Sequence, residues 1–185
     1  MVASHTTKAG HRYHYYISAS LMKKKPDPEK GWRLPAKEIE GIVYGSILDL
    51  LKDPVRVSQI LGVGRMTATV MNMLSKGCVR LVDAIKEARE TRAPEALKTI
   101  LRPLIQRVDV DVYEVGITLD PIKLNESLGG IVTRTKDWQS GEPERDSETS
   151  HHITVPVQLK RRGVEMRVIF PGKTSENPER NESVQ

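Results

Sequence analysis

Basic and aromatic side chains lie next to each other close to the start of the chain. Arg12, Tyr13, His14, Tyr15 and Tyr16 follow one another, and three consecutive lysines come a few residues later. Arginine and lysine neutralise phosphate groups, whereas tyrosine hydrogen-bonds to them or stacks on exposed bases. These residue types in one short stretch are typical of a nucleic-acid-binding surface.

The candidate contacts fall into two groups. The first, the N-terminal basic cluster, consists of Lys8, Arg12, Tyr13, Tyr15, Tyr16, Lys23, Lys24 and Lys25. The second, the C-terminal arginine pair, consists of Arg161 and Arg162, which we expect at the tip of a hairpin. The alternative for the first group is a strand whose tyrosines pack inward while its cations are only solvated. The alternative for the second is an exposed turn without a ligand.

The distribution of charge supports the same chemistry. The 185 residues carry 29 Lys and Arg against 24 Asp and Glu, a net charge of +5. Residues 1–33 hold seven of these cations and two of the anions, which matches the net charge of the whole chain. Residues 34–136 are nearly balanced, residues 137–150 and the tail are acidic, and residues 151–173 are basic again. The pattern predicts a polyanion-binding protein, with ordinary solubilising surface charge as the alternative.

The histidines do not predict a metal site. His151 and His152 are adjacent, so in a strand they point to opposite faces. His5, His11 and His14 lie close together, but no carboxylate or cysteine stands at ligand spacing beside them. We therefore expect no metal ligand and no cofactor within this chain.

No catalytic residue is predicted either. Cys78 is the single cysteine and has no neighbouring histidine to act as a base, so we expect a buried structural thiol at the start of a helix. The sequence Gly62-Val63-Gly64 lacks the third glycine and the preceding strand of a dinucleotide-binding loop. We do not expect this chain alone to be an enzyme.

Composition also excludes several classes of protein. No stretch approaches eighteen apolar residues, which argues against a transmembrane helix and a membrane partner. The first twenty residues contain no apolar segment of a secretory signal. One cysteine excludes a disulfide framework, so we expect a reducing, cytoplasmic setting.

Apolar residues at helical spacing predict a helical middle of the chain. The expected helices are Ala36–Lys52, two between Val55 and Leu74, Val79–Glu90, Pro94 to about Val108, and a short one from Asp120 to Leu128. We expect Gly62 and Gly77 to interrupt the helices, and Pro103 to kink or split the helix that contains it.

One pair of these helices also fits a DNA-binding template. Ser58–Met71 matches a helix-turn-helix with Gly62 at the turn, in which Arg65, Thr67 and Thr69 would face a major groove. The alternative is two core helices joined by a glycine turn. We favour the alternative.

Alternating apolar residues predict strands at both ends of the chain. The expected strands are His11–Ser18, Val108–Val112, Val115–Leu119, Ile131–Thr135, Ile153–Lys160 and Val164–Phe170. A change of phase predicts a hairpin turn at Tyr113–Gly116, and Gly163 suits a three-residue hairpin loop with Arg161 and Arg162. Pro156 places its strand at the edge of a sheet, because proline cannot donate to the ladder.

Together these elements predict an α+β fold, in which a central helical segment is flanked by a short N-terminal β element and C-terminal antiparallel hairpins. We divide the chain into a basic segment 1–33, a helical segment 34–108, a β-rich segment 109–172 with a mobile loop 136–150, and a disordered acidic tail 173–185.

Three stretches resemble large serine site-specific recombinases. The end of that family's recombinase zinc β-ribbon is similar to SHTTKAGHRYHYYISASL (Ser4–Leu21). The entry into its post-ribbon helix is similar to GWRLPAKEIEGIV (Gly31–Val43), and its late hairpin to VPVQLKRRGVEMRVIFPG (Val155–Gly172). The three occur in the family's order and spacing, so the resemblance covers most of the chain.

The resemblance implies the DNA-binding C-terminal portion of a recombinase that acts in DNA recombination and integration by mobile elements. Arg12, Tyr13, Tyr15, Tyr16 and Lys23–Lys25 match the ribbon strand and the loop that lie near DNA in the family. The family's catalytic serine belongs to a separate N-terminal domain that these residues do not match. Zinc is implied only if the Cys-x-x-Cys that precedes Ser4 in the family is supplied upstream.

The implied partners are DNA and, in addition, further copies of the chain or other recombinase subunits. Two alternatives use the same residues. In the first, Ala36–Lys52 and Val79–Val108 form an interaction or self-association module. In the second, the cations and tyrosines bind RNA.

Overall fold

The structure is a computed structural model that describes residues 1–22, 31–63, 66–131, 151–162 and 165–169. In chain order, its elements are β1 (Val2–Lys8), β2 (His11–Ile17), a 3₁₀ turn (Ala19–Met22), β3 (Arg33–Pro35), α1 (Ala36–Leu51), α2 (Pro54–Ile60), α3 (Ala68–Glu90), α4 (Pro94–Leu104), β4 (Ile105–Val110), β5 (Glu114–Leu119), α5 (Pro121–Leu128), β6 (His151–Pro156), β7 (Gln158–Arg162) and β8 (Glu165–Ile169). The α+β fold class is confirmed. None of the helices in the described ranges is long and apolar enough to cross a membrane.

The chain forms two compact units. Unit 1 consists of Met1–Ala36, Val112–Glu114 and the chain from Pro156. In this unit β1, β2 and β3 form an antiparallel sheet in that order, β7 pairs with β8, and β8 packs against β3. The turn between β1 and β2 contains Ala9 and Gly10, both with positive φ, as the two central residues of a type I′ hairpin turn require.

Unit 2 consists of Lys37–Asp111 and Val115–Val155 and contains most of the buried apolar side chains. The predicted stripe of α1 is confirmed, because its members are buried: Ile39, Ile42, Val43, Ile47, Leu50 and Leu51. Asp53 lies between α1 and α2 and caps α2, where its carboxylate accepts hydrogen bonds from the backbone N–H groups of Val55 and Arg56. A proline after an Asp cap is a common helix start.

The predicted break at Gly77 is wrong, since α3 runs without interruption through this residue. A Cβ added at Gly77 would lie 2.7 Å from the carbonyl oxygen of Leu128. The glycine therefore lets α5 approach α3 closely. Cys78 consequently lies within the helix, and not at a helix start.

The helix that begins at Pro94 is shorter than predicted. It ends at Leu104, directly after Pro103, and the next residue begins β4. Proline lacks the N–H of a helical hydrogen bond, and the residues that follow gain backbone partners in β5, with Ile105 opposite Leu119. The cross-strand pairing decides where the helix ends.

The hairpin between β4 and β5 is confirmed, but its turn comes earlier than predicted. Val110 pairs with Val115, so Gly116 lies in β5 and not in the turn. There a Cβ on Gly116 would lie 2.5 Å from the imidazole of His152. In this strand, too, the glycine permits a close approach by a neighbouring element.

The predicted strand Ile153–Lys160 is two strands. β6 lies beside β5 at an edge of its described sheet, as expected from Pro156, whereas β7 pairs with β8 in unit 1. Because Arg162 pairs with Glu165, Arg161 and Arg162 belong to β7, so their predicted place in the hairpin loop is wrong.

The short helix that begins after Asp120 is confirmed as α5. The Asp120 carboxylate caps its first turn, and Gly129 ends it in the left-handed conformation with φ of 104°. Several predicted features lie outside the described residues, among them the strand after Ile131, the loop 136–150, the tail 173–185, Gly163 of the hairpin loop and Arg65 of the helix-turn-helix template.

Candidate nucleic-acid interface

The β1–β2 hairpin has two faces with different chemistry. Residues that are directly opposite on paired strands share a face, and successive residues alternate between faces. One face, here the histidine face, carries Ala3 and Tyr16, His5 and His14, and Thr7 and Arg12. The other, the tyrosine face, carries Ser4 and Tyr15, Thr6 and Tyr13, and Lys8 and His11. Arg12 therefore lies on the face opposite to Tyr13 and Tyr15.

The histidine face presents nitrogen groups to solvent. His5, Arg12 and His14 are all exposed. A guanidinium nitrogen of Arg12 donates to Nε2 of His5 over 3.0 Å, and the rings of His5 and His14 lie 6.2 Å apart between centroids. The first 26 residues of the sequence contain no Asp or Glu, so no carboxylate of this segment neutralises the arginine. The face is therefore suited to an external anion.

Tyr15 is held within the tyrosine face. The guanidinium of Arg33 stacks over its ring at 4.0 Å and also donates to the hydroxyl of Thr6. Desolvation, followed by the hydrogen-bonded carboxylate of Glu165, raises the pKa of the Tyr15 phenol. Tyr15 is only half-buried, but its ring and hydroxyl both have partners. Its role in the structure is to fix the hairpin to β3 and β8.

The side chains of the other predicted contacts in the N-terminal basic cluster differ in their exposure to solvent. The Tyr13 side chain is 47% exposed, and Lys8 is exposed beside the turn. Tyr16 is half-buried opposite Ala3. Lys23, Lys24 and Lys25 lie outside the described residues. Tyr13, Lys8 and Arg12 are thus the described members best placed to reach a ligand.

Arg161 is engaged in the fold of unit 1. Its guanidinium donates to the backbone carbonyl of Gly31 over 2.8 Å, and its residue pairs with Met166 across the hairpin. This hydrogen bond fixes the chain just before β3. The side chain of Arg162 lies outside the described part of the structure.

Sequence reasoning missed a different pair of cations on the same hairpin. Lys160 and Arg167 lie directly opposite each other on β7 and β8, and both are exposed. Like charges opposite each other are unfavourable, and within the described residues neither side chain has a hydrogen bond or an ion pair. The alternation of apolar residues predicted that both residues lie on strands. Which residues pair depends on the register of the hairpin, and the predicted three-residue loop gave a different register from the observed one.

Residues of the helix-turn-helix template form hydrogen bonds within the two helices. The Ser58 hydroxyl is buried and donates to the carbonyl of Val55. Thr67 caps α3 by accepting a hydrogen bond from the N–H of Val70, and α2 packs against α3. These contacts favour the alternative of two packed helices joined by a glycine turn.

The described residues offer little for catalysis. Burial raises the pKa of the Cys78 thiol, which is the opposite of what an activated nucleophile needs. Among the residues that the structure describes, no group of three or more His, Cys, Asp or Glu side chains is arranged to hold a metal ion.

The candidate interface is therefore a solvent-facing strand surface with cations on two hairpins of unit 1. No family model matches the chain, and no curated protein or solved structure is significantly similar to it.

Proposed function

We propose that this chain is the DNA-binding C-terminal portion of a site-specific serine recombinase and that it acts in DNA recombination in the cytoplasm. The observation that carries the proposal is the histidine face, where Arg12 is exposed in a segment without carboxylates. The three sequence stretches that resemble the recombinase family support the specific assignment to recombination. Cleavage and rejoining of DNA are assigned to a separate catalytic domain.

The shape of the hairpin supports binding to duplex DNA. A two-stranded β-ribbon fits the major groove, where arginine contacts guanine or the adjacent phosphates. In this proposal Arg12 contacts the DNA, and Tyr13 and Lys8 contact the backbone from the other face of the ribbon. Lys160 and Arg167 add phosphate contacts from the second hairpin of the same unit.

The proposal is tested by fluorescence anisotropy with random-sequence duplex DNA at about 50 and 200 mM salt. Roughly five phosphate contacts predict a loss of several hundred-fold in affinity between these salt concentrations. Arg12→Ala should weaken binding and make the salt dependence shallower, whereas Arg102→Ala, an exposed arginine of unit 2, should do neither.

Two results would overturn the proposal. One is the absence of binding at the lower salt concentration. The other is an equal loss in the Arg12→Ala and Arg102→Ala variants, which would indicate attraction by net charge alone. A duplex RNA of the same length distinguishes the RNA-binding alternative, because RNA should bind less tightly than DNA if the ribbon enters a major groove.

A surface groove of unit 2 favours a second candidate, an interaction module. The groove has a volume of about 610 Å³ and is lined mainly by α3 and the end of α5. Met73 and Val79 line it and are 48% and 59% exposed. The apolar stripe of α1 is buried, so of the two helical regions considered from the sequence only α3 offers apolar surface here.

Sedimentation velocity tests this second candidate. If α3 mediates self-association, the sedimentation coefficient of the chain should rise with concentration. Val79→Asp should remove that rise, because a carboxylate would be buried in the apolar contact. A coefficient independent of concentration would leave DNA binding as the function.

A further inference from the structure

The surface groove of unit 2 combines apolar side chains with two positive charges. Met73 and Val79 of α3 line it and are exposed, and Ile131, just after α5, lines it as well. Lys76 and Arg80 line the same groove from α3. Its volume of about 610 Å³ is typical of sites for small organic ligands, which are mostly apolar and use a few charged groups to fix the ligand's orientation.

The two cations of the groove lie close together and lack a carboxylate partner. Lys76 and Arg80 are four residues apart on α3, so they share one face of the helix, where like charges repel each other. Both are exposed, and within the described residues neither forms an ion pair. Asp83 follows Arg80 by three positions on α3 but does not pair with it. The two cations are therefore available to an external anion.

The end of α5 packs closely against α3 at this groove. One guanidinium nitrogen of Arg80 donates to the carbonyl oxygen of Leu128 over 3.3 Å. Arginine has five N–H donors, so most of them remain for a ligand. A Cβ added at Gly77 would lie 2.7 Å from the same carbonyl oxygen and 3.3 Å from the side chain of Ile131. The packing thus places the apolar side chain of Ile131 against the helix that carries both cations.

Apolar surface and positive charge in one groove fit a ligand that has an apolar part and a negative charge. A second copy of the chain fits less well, because a two-fold contact centred on the groove would bring the cations of both copies together. We propose that the groove binds a small amphiphilic carboxylate, a molecule with one carboxylate and an apolar chain. Its chain packs against Met73, Val79 and Ile131. Its carboxylate accepts hydrogen bonds from Lys76 and Arg80. The site does not depend on DNA binding by unit 1.

Competition with the fluorescent anion anilinonaphthalene sulfonate on the full chain tests the proposal. Decanoate, used below its micelle concentration, should displace the dye, whereas decyltrimethylammonium, which has the same chain but the opposite charge, should not. The affinity should rise about two- to fourfold for each methylene group from hexanoate to decanoate, because each one buries apolar surface. Equal affinities for hexanoate and decanoate would overturn the proposal, since charge alone would then explain binding.

A pair of double variants tests the two cations. Lys76→Ala, Arg80→Ala should weaken decanoate binding by about tenfold, because each exposed charge pair contributes modestly. The matched control Lys86→Ala, Arg102→Ala removes the same charge from exposed residues of unit 2 outside the groove and should leave the affinity unchanged. An equal loss in both double variants would overturn the proposal, because the net charge alone would then attract the carboxylate.

NMR spectra of the unaltered chain keep the proposal falsifiable if a variant folds poorly. Decanoate should shift the methyl signals of Met73, Val79 and Ile131 before those of Val55 and Ile122, which are exposed apolar residues of unit 2 outside the groove. Equal shifts for all five would overturn the proposal. Dye binding per chain that falls as the chain concentration and the sedimentation coefficient rise would overturn it too, because a second copy would then cover the groove.

Discussion

The charged residues of the two units have different partners. Among the described residues, each of the four ion pairs lies in unit 2, and each joins residues two or three apart in sequence: Lys52–Asp49, Lys98–Glu95, Arg107–Asp109 and Lys123–Glu126. In unit 1, Arg12, Lys160 and Arg167 have no carboxylate partner within the described residues. Four cations of unit 2 are therefore neutralised by carboxylates close in sequence, whereas these three exposed cations of unit 1 are not, and they add to a positive field for an external anion.

The largest expected effect comes from removing the exposed cations of unit 1 together. The triple variant Arg12→Ala, Lys160→Ala, Arg167→Ala should lower the affinity for duplex DNA by about a hundredfold or more at low salt. The slope of log affinity against log salt should become shallower by about 2.7, because three phosphate contacts are lost. Anisotropy titrations over a salt series measure both quantities.

The matched control removes the same charge from unit 2. Lys52→Ala, Lys98→Ala and Lys123→Ala together also lower the net charge by three, but each of these lysines is paired with a carboxylate. This variant should keep nearly all of the DNA affinity and the salt dependence. If both triple variants bind DNA equally weakly, the difference between the units has no role in binding.

The next effect separates the stability of unit 2 from binding by unit 1. Gly77→Ala should lower the free energy of unfolding by about 1–3 kcal/mol, because its Cβ would meet the Leu128 carbonyl at 2.7 Å. Gly45→Ala is the control, since nothing lies within 4 Å of its added Cβ, and alanine should stabilise α1 by about 0.5–1 kcal/mol. Urea denaturation measures both, and the DNA affinity of the folded chain should not change in either variant.

Gly77 also shows which structural features cannot be predicted from local sequence. The pattern predicted the buried stripe of α1 and the short helix that begins after Asp120, because each depends on residues within one or two turns. A helix-breaking glycine and a glycine at a close approach look alike in sequence. Only the position of Leu128, which is distant in sequence, shows that Gly77 permits a close approach and does not break the helix.

The candidate interface was predictable to a similar extent. Alternation along β2 is local, so the division of Arg12 from Tyr13 and Tyr15 followed from the sequence. The pairing of Lys160 with Arg167 did not, because it depends on a strand break at Val157 and on the position of the turn. The hydrogen bond from Arg161 to Gly31 joins residues distant in sequence, and no local pattern indicates it.

Arg161→Ala tests whether this arginine belongs to the binding surface or to the fold. Loss of its hydrogen bond to Gly31 should lower the free energy of unfolding by about 1 kcal/mol. The salt dependence of DNA binding should stay close to that of the unaltered chain. A slope shallower by about one would instead place Arg161 on a phosphate and return it to the interface.

A pH titration compares two adjacent histidines of unit 2, His151 and His152. In unit 2, desolvation, followed by the charge of Arg56 and by His152, lowers the pKa of His151 below the ordinary value of 6.5. Its Nε2 is also buried without a hydrogen-bond partner. A lowered pKa in the folded state gives stability that is present above the unfolded-state pKa and is lost as the pH falls.

The free energy of unfolding in urea should therefore fall between about pH 7 and pH 5, and His151→Gln should make that fall shallower. His152→Gln is the matched control, because His152 is adjacent and exposed. An equally shallow profile in both variants would show that the half-buried His151 imidazole is not the source of the pH dependence.

The smallest expected effect concerns the ion pairs of unit 2. Lys98 and Glu95 are 59% and 84% exposed, so their pair gains little in water and is screened by salt. Lys98→Ala should change the free energy of unfolding by about 0.5 kcal/mol or less, which urea denaturation at low and high salt measures. A loss above 1 kcal/mol would show that such pairs hold unit 2 together. Because they should not, their consequence is electrostatic. Each pair neutralises one cation of unit 2, whereas Arg12, Lys160 and Arg167 of unit 1 have no carboxylate partner within the described residues and can attract an approaching polyanion.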